Sequence, residues 1–192
     1  MLDNVPYFLT EGHQYTTPDG TPLESVTSIL KSGLGLYQYK KVSNAALFGT
    51  NCHKAFQYYD EKDLVESTLD PAVEIRLEQY KLALTNEEIE IQQNEVMRYH
   101  PIYLYAGCID KVCKVKGVQS LIDIKTGKVE AWHGLQLAAY GELVKEEVRA
   151  EKHYCLYVQD DTYQLIDVTN EKYFKYFLSL MTSSHIKKEL GY

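Results

Sequence analysis

Between Glu88 and Thr126 the chain carries three strand-type segments in succession: Glu88 to Arg98, Ile102 to Val115 and Val118 to Thr126, with Gly117 in the turn between the last two. Connections this short join strands antiparallel, so a meander forms the part around which everything else must be arranged. Helical patterns lie on both sides of it. Upstream, Asn44 to Asp60 places Ala45, Leu47, Phe48, Ala55 and Phe56 at helical spacing, and Asp70-Pro71 is a cap followed by proline, opening a helix toward Leu84. Downstream, Trp132 to Glu147 is helical through Leu135, Ala138, Ala139 and Leu143. Two further strands, His153 to Gln159 and Thr162 to Val168, come next, and Asn170 caps a closing helix with Phe174, Phe177, Leu178 and Met181. At the start, Tyr7 to Thr10 and His13 to Thr17 predict a hairpin, Pro18-Asp19-Gly20 a turn, and Ser25 or Thr27 the cap of a short helix over Ser28 to Lys31. Helices, meander, crossover helix and more strands make an α/β fold with a mixed central sheet flanked by helices. Without repeats or linkers, the 192 residues read as one domain, 1–46 forming the N-terminal hairpin and short helix and 47–192 the core.

Composition removes several classes of function. No apolar run approaches the roughly 18 residues of a membrane helix, and the start has neither the basic flank of a signal peptide nor the Arg/Ser-rich character of a transit peptide. A cytoplasmic protein is expected. The cysteines Cys52, Cys108, Cys113 and Cys155 form no C-x-x-C pair and are too scattered for a disulfide framework. A formal charge of -7 argues against a protein that coats duplex nucleic acid indiscriminately. Tyr105 to Glu130 differs, with five lysines against three acids, so the middle of the chain is locally basic.

That middle stretch also holds the chemistry. In Ser120-Leu-Ile-Asp-Ile-Lys-Thr-Gly127, strand alternation puts Asp123 and Lys125 on one face and Ile122 and Ile124 on the other. A hairpin turning near Gly117 brings Asp110, from Gly107-Cys-Ile-Asp110, close to Asp123. Two converging carboxylates repel each other unless they hold a hard cation, and magnesium or manganese resolves the repulsion. Alone, an Asp two residues from a Lys is an ordinary ion pair. On the following helix, Gln136 and Tyr140 share a face at i and i+4. A boundary Gln and Tyr would satisfy that pattern equally well.

Taken in order, Gly49-x-x-x-His53, Glu95, Gly107-x-x-Asp110, Asp123-x-Lys125 and Gln136-x-x-x-Tyr140 resemble the motifs of the RecB-like exonuclease branch of the PD-(D/E)XK nuclease superfamily. Ser25-Val-Thr27 is similar to the S-V-T segment of its phage-type and mitochondrial genome maintenance members. The resemblance implies a restriction-endonuclease-like core and a metal-dependent exonuclease hydrolysing phosphodiester bonds from DNA ends in recombination, repair or replication. Asp110, Asp123, the main-chain carbonyl of Ile124 and His53 would then hold Mg²⁺ or Mn²⁺, with Glu95 outside that set or on a second ion. Lys125 would position or help activate the attacking water, and Gln136 and Tyr140 would orient Lys125 and the scissile strand. Ser28 and Lys31 would contact the terminal phosphate. Iron–sulfur members place one cysteine before these motifs and three after, whereas only Cys155 follows Tyr140, so no iron–sulfur cluster is expected. The partners implied are DNA, as single strands or frayed ends, and a recombination or helicase protein. A bacterial or phage-infected cell is the implied setting, and the competing reading is a catalytically silent module of the same fold that binds DNA or protein.

Overall fold

A computed structural model describes residues 5–9, 14–36 and 44–191 of the chain. Strands β1 (Tyr7–Leu9), β2 (Gln14–Thr16) and β3 (Pro22–Ser25) are followed by helices α1 (Val26–Gly33), α2 (Asn44–Asp60) and α3 (Pro71–Asn86). Then come β4 (Ile89–Tyr99), β5 (Tyr105–Val115), β6 (Val118–Lys125), α4 (His133–Val144), β7 (Lys152–Val158), β8 (Tyr163–Asp167) and α5 (Tyr173–Leu190). The strands form one eight-stranded mixed sheet in the order β1-β2-β3-β5-β6-β7-β8, with β4 also paired to β5. β3 runs parallel to β5 and β6 parallel to β7, while the remaining neighbours are antiparallel. This is a mixed α/β fold compatible with a PD-(D/E)XK-like core. No helix among the described residues is long and apolar enough to cross a membrane.

The local signals act as their chemistry dictates. Ser25 caps α1, its hydroxyl accepting from the N–H of Ser28, and Asp70 caps α3 by accepting from the N–H of Ala72 ahead of Pro71. Lys116 and Gly117 both take positive φ in a two-residue turn whose twist matches the strands on either side. Two details depart from the sequence reading. Ile102 to Leu104 belong to the turn after β4 rather than to β5, because Leu104 takes a positive φ and its N–H closes on the His100 carbonyl. Pro22–Ser25 is a strand that local pattern does not announce: four residues headed by proline, of which the first two pair back to β2 and the last two pair with the distant Tyr105 and Ala106. Thr10 and His13, expected in the first hairpin, lie outside the described residues.

Helices cover both sheet faces. α1, α4 and α5 pack with Tyr105, Ile109, Val112, Leu121 and Tyr157 in one core, whereas α2 and α3 pack with Cys113, Val115, Ile122, Ile124 and Leu156 in the other. Ile122 and Ile124 thus anchor the face opposite Asp123 and Lys125, as alternation requires.

Candidate active site

One edge of β5 has two partners. β3 pairs with it at Tyr105 and Ala106, β6 pairs from Lys111 to Val115, and residues 107–110 border the gap where those strands part. A backbone donor at such a split must find an acceptor other than the ladder. Asp110, buried beside the gap, provides one: its Oδ2 accepts the N–H of Ile124 at 2.6 Å.

The same point is a pivot. Asn94 and Lys111 are register partners, and Lys111 Nζ donates both to Asn94 Oδ1 and to Asp60 of α2, yet Val96 and Ile109, the register pair two residues along each strand, belong to the core of the opposite face. Ideal alternation would keep positions two apart on one face. Glu95 and Asp110 stand between the two pairs, and Glu95 has φ +49°, a left-handed conformation that costs a non-glycine residue about 1–2 kcal/mol.

Three potential donors meet at this pivot. His53 Nδ1 lies 3.6 Å from Asp110 Oδ2, and His53, Glu95 and Asp110 each offer one ligand atom within 4.8 Å of the others. One turn before His53, a Cβ on Gly49 would stand 3.1 Å from Thr126 Oγ1, so the glycine lets α2 lie close over the end of β6. Cys108 donates its S–H to Glu95 Oε2 at 3.2 Å. Burial, and then the neighbouring Asp110 charge, hold the Glu95 carboxyl above the usual range.

Beside this cluster a lysine is held from two sides. Lys125 Nζ lies 2.6 Å from Asp123 Oδ2 and donates to Gln136 Oε1 at 3.0 Å, while Gln136 Nε2 donates to the Tyr140 hydroxyl at 2.8 Å. Tyr140 in turn sits where only glycine fits on β5, since a Cβ on Gly107 would be 2.5 Å from Tyr140 Cε1. Burial pushes the Asp123 carboxyl up to about 6, with Asp110 adding to the shift and Lys125 opposing it. For Lys125 burial works against the ammonium, but Asp123 and Asp110 outweigh it and the pKa is raised. Asp123 Oδ2 is enclosed and faces the Lys125 ammonium.

The structure therefore brings His53, Glu95 and Asp110 into one cluster and Asp123, Lys125, Gln136 and Tyr140 into the adjoining one. Glu95, expected outside the ligating set, stands within reach of His53 and Asp110. Ile124 meets Asp110 through its N–H. Ser28 is exposed and lines a groove of about 820 Å³ together with Tyr15, Tyr103, His185 and Lys188, whereas Lys31 is exposed and outside that lining. Sequence reasoning missed three neighbours. Thr27 Oγ1 is 3.5 Å from Gln136 Nε2 and belongs to the Ser-Val-Thr segment that was legible. Cys108 sits two residues before Asp110, a spacing that alternation points toward the same site. Tyr15, from the groove, has its phenol pushed up to about 12 by burial, then by Cys108 and Glu95, and no local signal marks it.

The locally basic middle of the chain needs correction. Lys111 pairs with Asp60 at the end of α2 and Lys116 with Glu87 just after α3, both outside the stretch, while Lys125 pairs with Asp123 two residues away on its own strand. Three of the five lysines are thus partly neutralised.

No family model and no curated protein matches the sequence. Among solved structures the chain is similar to SSO0001, at 16% identity over 85% of each chain with a TM-score of 0.38. It is also similar to LHK-Exo in complex with dAMP, at 14% identity over 88% of this chain and 89% of that one, with a TM-score of 0.40. At these scores neither likeness bears on function, and the assignment rests on the chain's own residues.

Proposed function

We propose that this chain is a Mg²⁺- or Mn²⁺-dependent deoxyribonuclease that hydrolyses phosphodiester bonds from DNA ends. The observation that carries the reading is the convergence, at the split of the sheet, of a His53–Glu95–Asp110 donor cluster with an ammonium fixed between Asp123 and Gln136. Carboxylate oxygens with one imidazole suit a hard or borderline cation of this kind.

His53, Glu95, Asp110 and Asp123 would hold the ion, with the Ile124 carbonyl as a further donor. A divalent ion supplies Lewis acidity there, acidifying water and offsetting charge on a phosphate. The chain's own residues supply the rest. Tyr140 accepts from the Gln136 amide and so turns its oxygen toward Lys125, which leaves the ammonium with one fixed orientation. Two nearby carboxylates keep Lys125 protonated, which suits a donor to water or to phosphate oxygens better than a base. A preorganised cation of this sort stabilises charge as it develops in the transition state. The groove beside Tyr15 is the path we assign to a single strand or frayed end, with the Ser28 hydroxyl and the Tyr15 and Tyr103 rings on its wall.

The test uses end-labelled linear and circular DNA, single- and double-stranded, with Mg²⁺, Mn²⁺ or EDTA. Linear DNA should be shortened progressively only with the metal, and closed circles should survive. Hydrolysis that persists after exhaustive chelation overturns the metal-nuclease reading. Internal cuts in circles at a comparable rate mark an endonuclease, and DNA binding without cleavage marks the silent module.

A further inference from the structure

Behind the donor cluster lies a second charge that the chemistry above does not use. Lys111 is a lysine on the centre of β5 with only 2% of its side chain exposed, and its Nζ contacts Asp60 Oδ2 at 2.6 Å and Asn94 Oδ1 at 2.7 Å. The single Tyr80 hydroxyl proton of α3 is shared between the two Asp60 oxygens, at 2.9 and 3.1 Å, and the ammonium stands 5.6 Å from the Tyr80 ring centre. Phe56 stacks on that ring with centroids 4.5 Å apart.

The addresses of these groups are what matters. Lys111 follows Asp110 on β5, Asn94 precedes Glu95 on β4, and Asp60 lies seven residues after His53 on α2. Positions i, i+3 and i+7 share a helix face, so His53, Phe56 and Asp60 form one stripe against the sheet. A single buried ammonium thereby ties together the three elements that carry the three candidate ligands, one bond from the ligand on two of them. It also sits where both strands turn over, beside the left-handed Glu95.

A buried ion pair is a poor device for stability, because apolar residues of similar volume often do as well or better. We propose that Lys111 is a positioning residue: with Asp60 and Asn94 it sets the spacing of His53, Glu95 and Asp110, and so the affinity of the site for its divalent ion. This rests on the metal-site reading given above.

Titration calorimetry with Mn²⁺ alone, alongside thermal melting, tests it on the full chain. Removing only Lys111 strands the Asp60 carboxylate and endangers folding, so the informative variants are the apolar double Lys111→Met/Asp60→Leu and the mild Asn94→Ala, which leaves the ion pair intact. The double variant should melt cooperatively, somewhat below the wild type because Tyr80 and Asn94 lose their partners, yet bind Mn²⁺ about tenfold or more weakly, the scale on which groups behind metal ligands act. Asn94→Ala should weaken binding in the same direction, and raised Mn²⁺ should restore cleavage in both. If the double variant does not fold, Asn94→Ala decides on the same criterion. Wild-type Mn²⁺ affinity in the variants, with or without a change in melting temperature, overturns the positioning role while leaving the metal site standing. No Mn²⁺ binding by the wild type overturns the metal site, and the positioning role with it.

Discussion

Lys111 and Lys125 lie on neighbouring strands, and each holds an aspartate at 2.6 Å, but their surroundings differ. Around Lys111 the polar groups are saturated: Asp60 takes one bond from Tyr80, shared between its two oxygens, and one from the ammonium, Asn94 takes another, and both side chains of the ion pair are at most 3% exposed. Around Lys125 the inner side is closed by Gln136 and Asp123, yet a fifth of the lysine side chain remains open. A pair that is complete holds elements in place. A pair left open on one side has capacity for a substrate or ion, and that difference separates a framework charge from a working one.

The largest effect should come from truncating the two lysines separately. Lys125→Ala should fold, bind Mn²⁺ as well as or better than the wild type, and lose cleavage by about 10³-fold, as expected when a preorganised transition-state donor is removed. Asp123→Ala should lose both Mn²⁺ binding and cleavage. Single-turnover cleavage beside calorimetry separates the two, and equal metal binding by both variants, or full activity of Lys125→Ala, breaks the assigned roles. Lys111→Met, by contrast, should cost about 3–5 kcal/mol of stability because Asp60 is left buried and unpaired. Its melting should drop far more than that of Lys125→Ala. Comparable losses in the two variants would show that both pairs are structural.

A smaller effect should follow from the packing behind Lys125. Gly107→Ala places a methyl against the buried Tyr140 ring and should cost about 1–3 kcal/mol as overpacking. Because Tyr140 orients Gln136, cleavage should fall as well, with Mn²⁺ affinity nearly unchanged. Mn²⁺ affinity falling in step with cleavage would mean that the methyl disturbs Asp110 instead, three residues along the strand.

Much of this was legible one residue type at a time. Alternation in β6 separated Asp123 and Lys125 from Ile122 and Ile124, and helical spacing joined Gln136 to Tyr140, because both patterns are local periodicities. The glycines were legible only as motif letters, since their reasons, Thr126 for Gly49 and Tyr140 for Gly107, are contacts between distant segments. Lys111 read as one of several lysines in a basic stretch. Nothing in its neighbours shows that Asp60, fifty-one positions away, neutralises it. The short strand β3 escaped in part for a related reason: β2 lies just across a turn, but its other partner, β5, arrives some eighty residues later.

Least legible was the backbone of Glu95, and the last prediction turns on it. Glutamate has no local means of favouring positive φ, so the conformation is imposed by the turnover of β4 against β5. Glycine adopts that region without the steric penalty. Glu95→Gly also removes a carboxyl group whose charged form burial and Asp110 disfavour. The metal-free protein should therefore gain about 1 kcal/mol, less the extra chain entropy that glycine brings to the unfolded state. It should at the same time bind Mn²⁺ more weakly, having lost one of the three clustered donors. Glu95→Gln separates the two causes: it removes the charge but keeps the strain, so it should weaken Mn²⁺ binding with less gain in stability. Melting curves in EDTA and in Mn²⁺ for the two variants read both effects. If Glu95→Gly melts below the wild type in EDTA, the bond from Cys108 and the packing of the side chain hold Glu95 in place, and the strain is not what sets this position apart from the saturated network beside it.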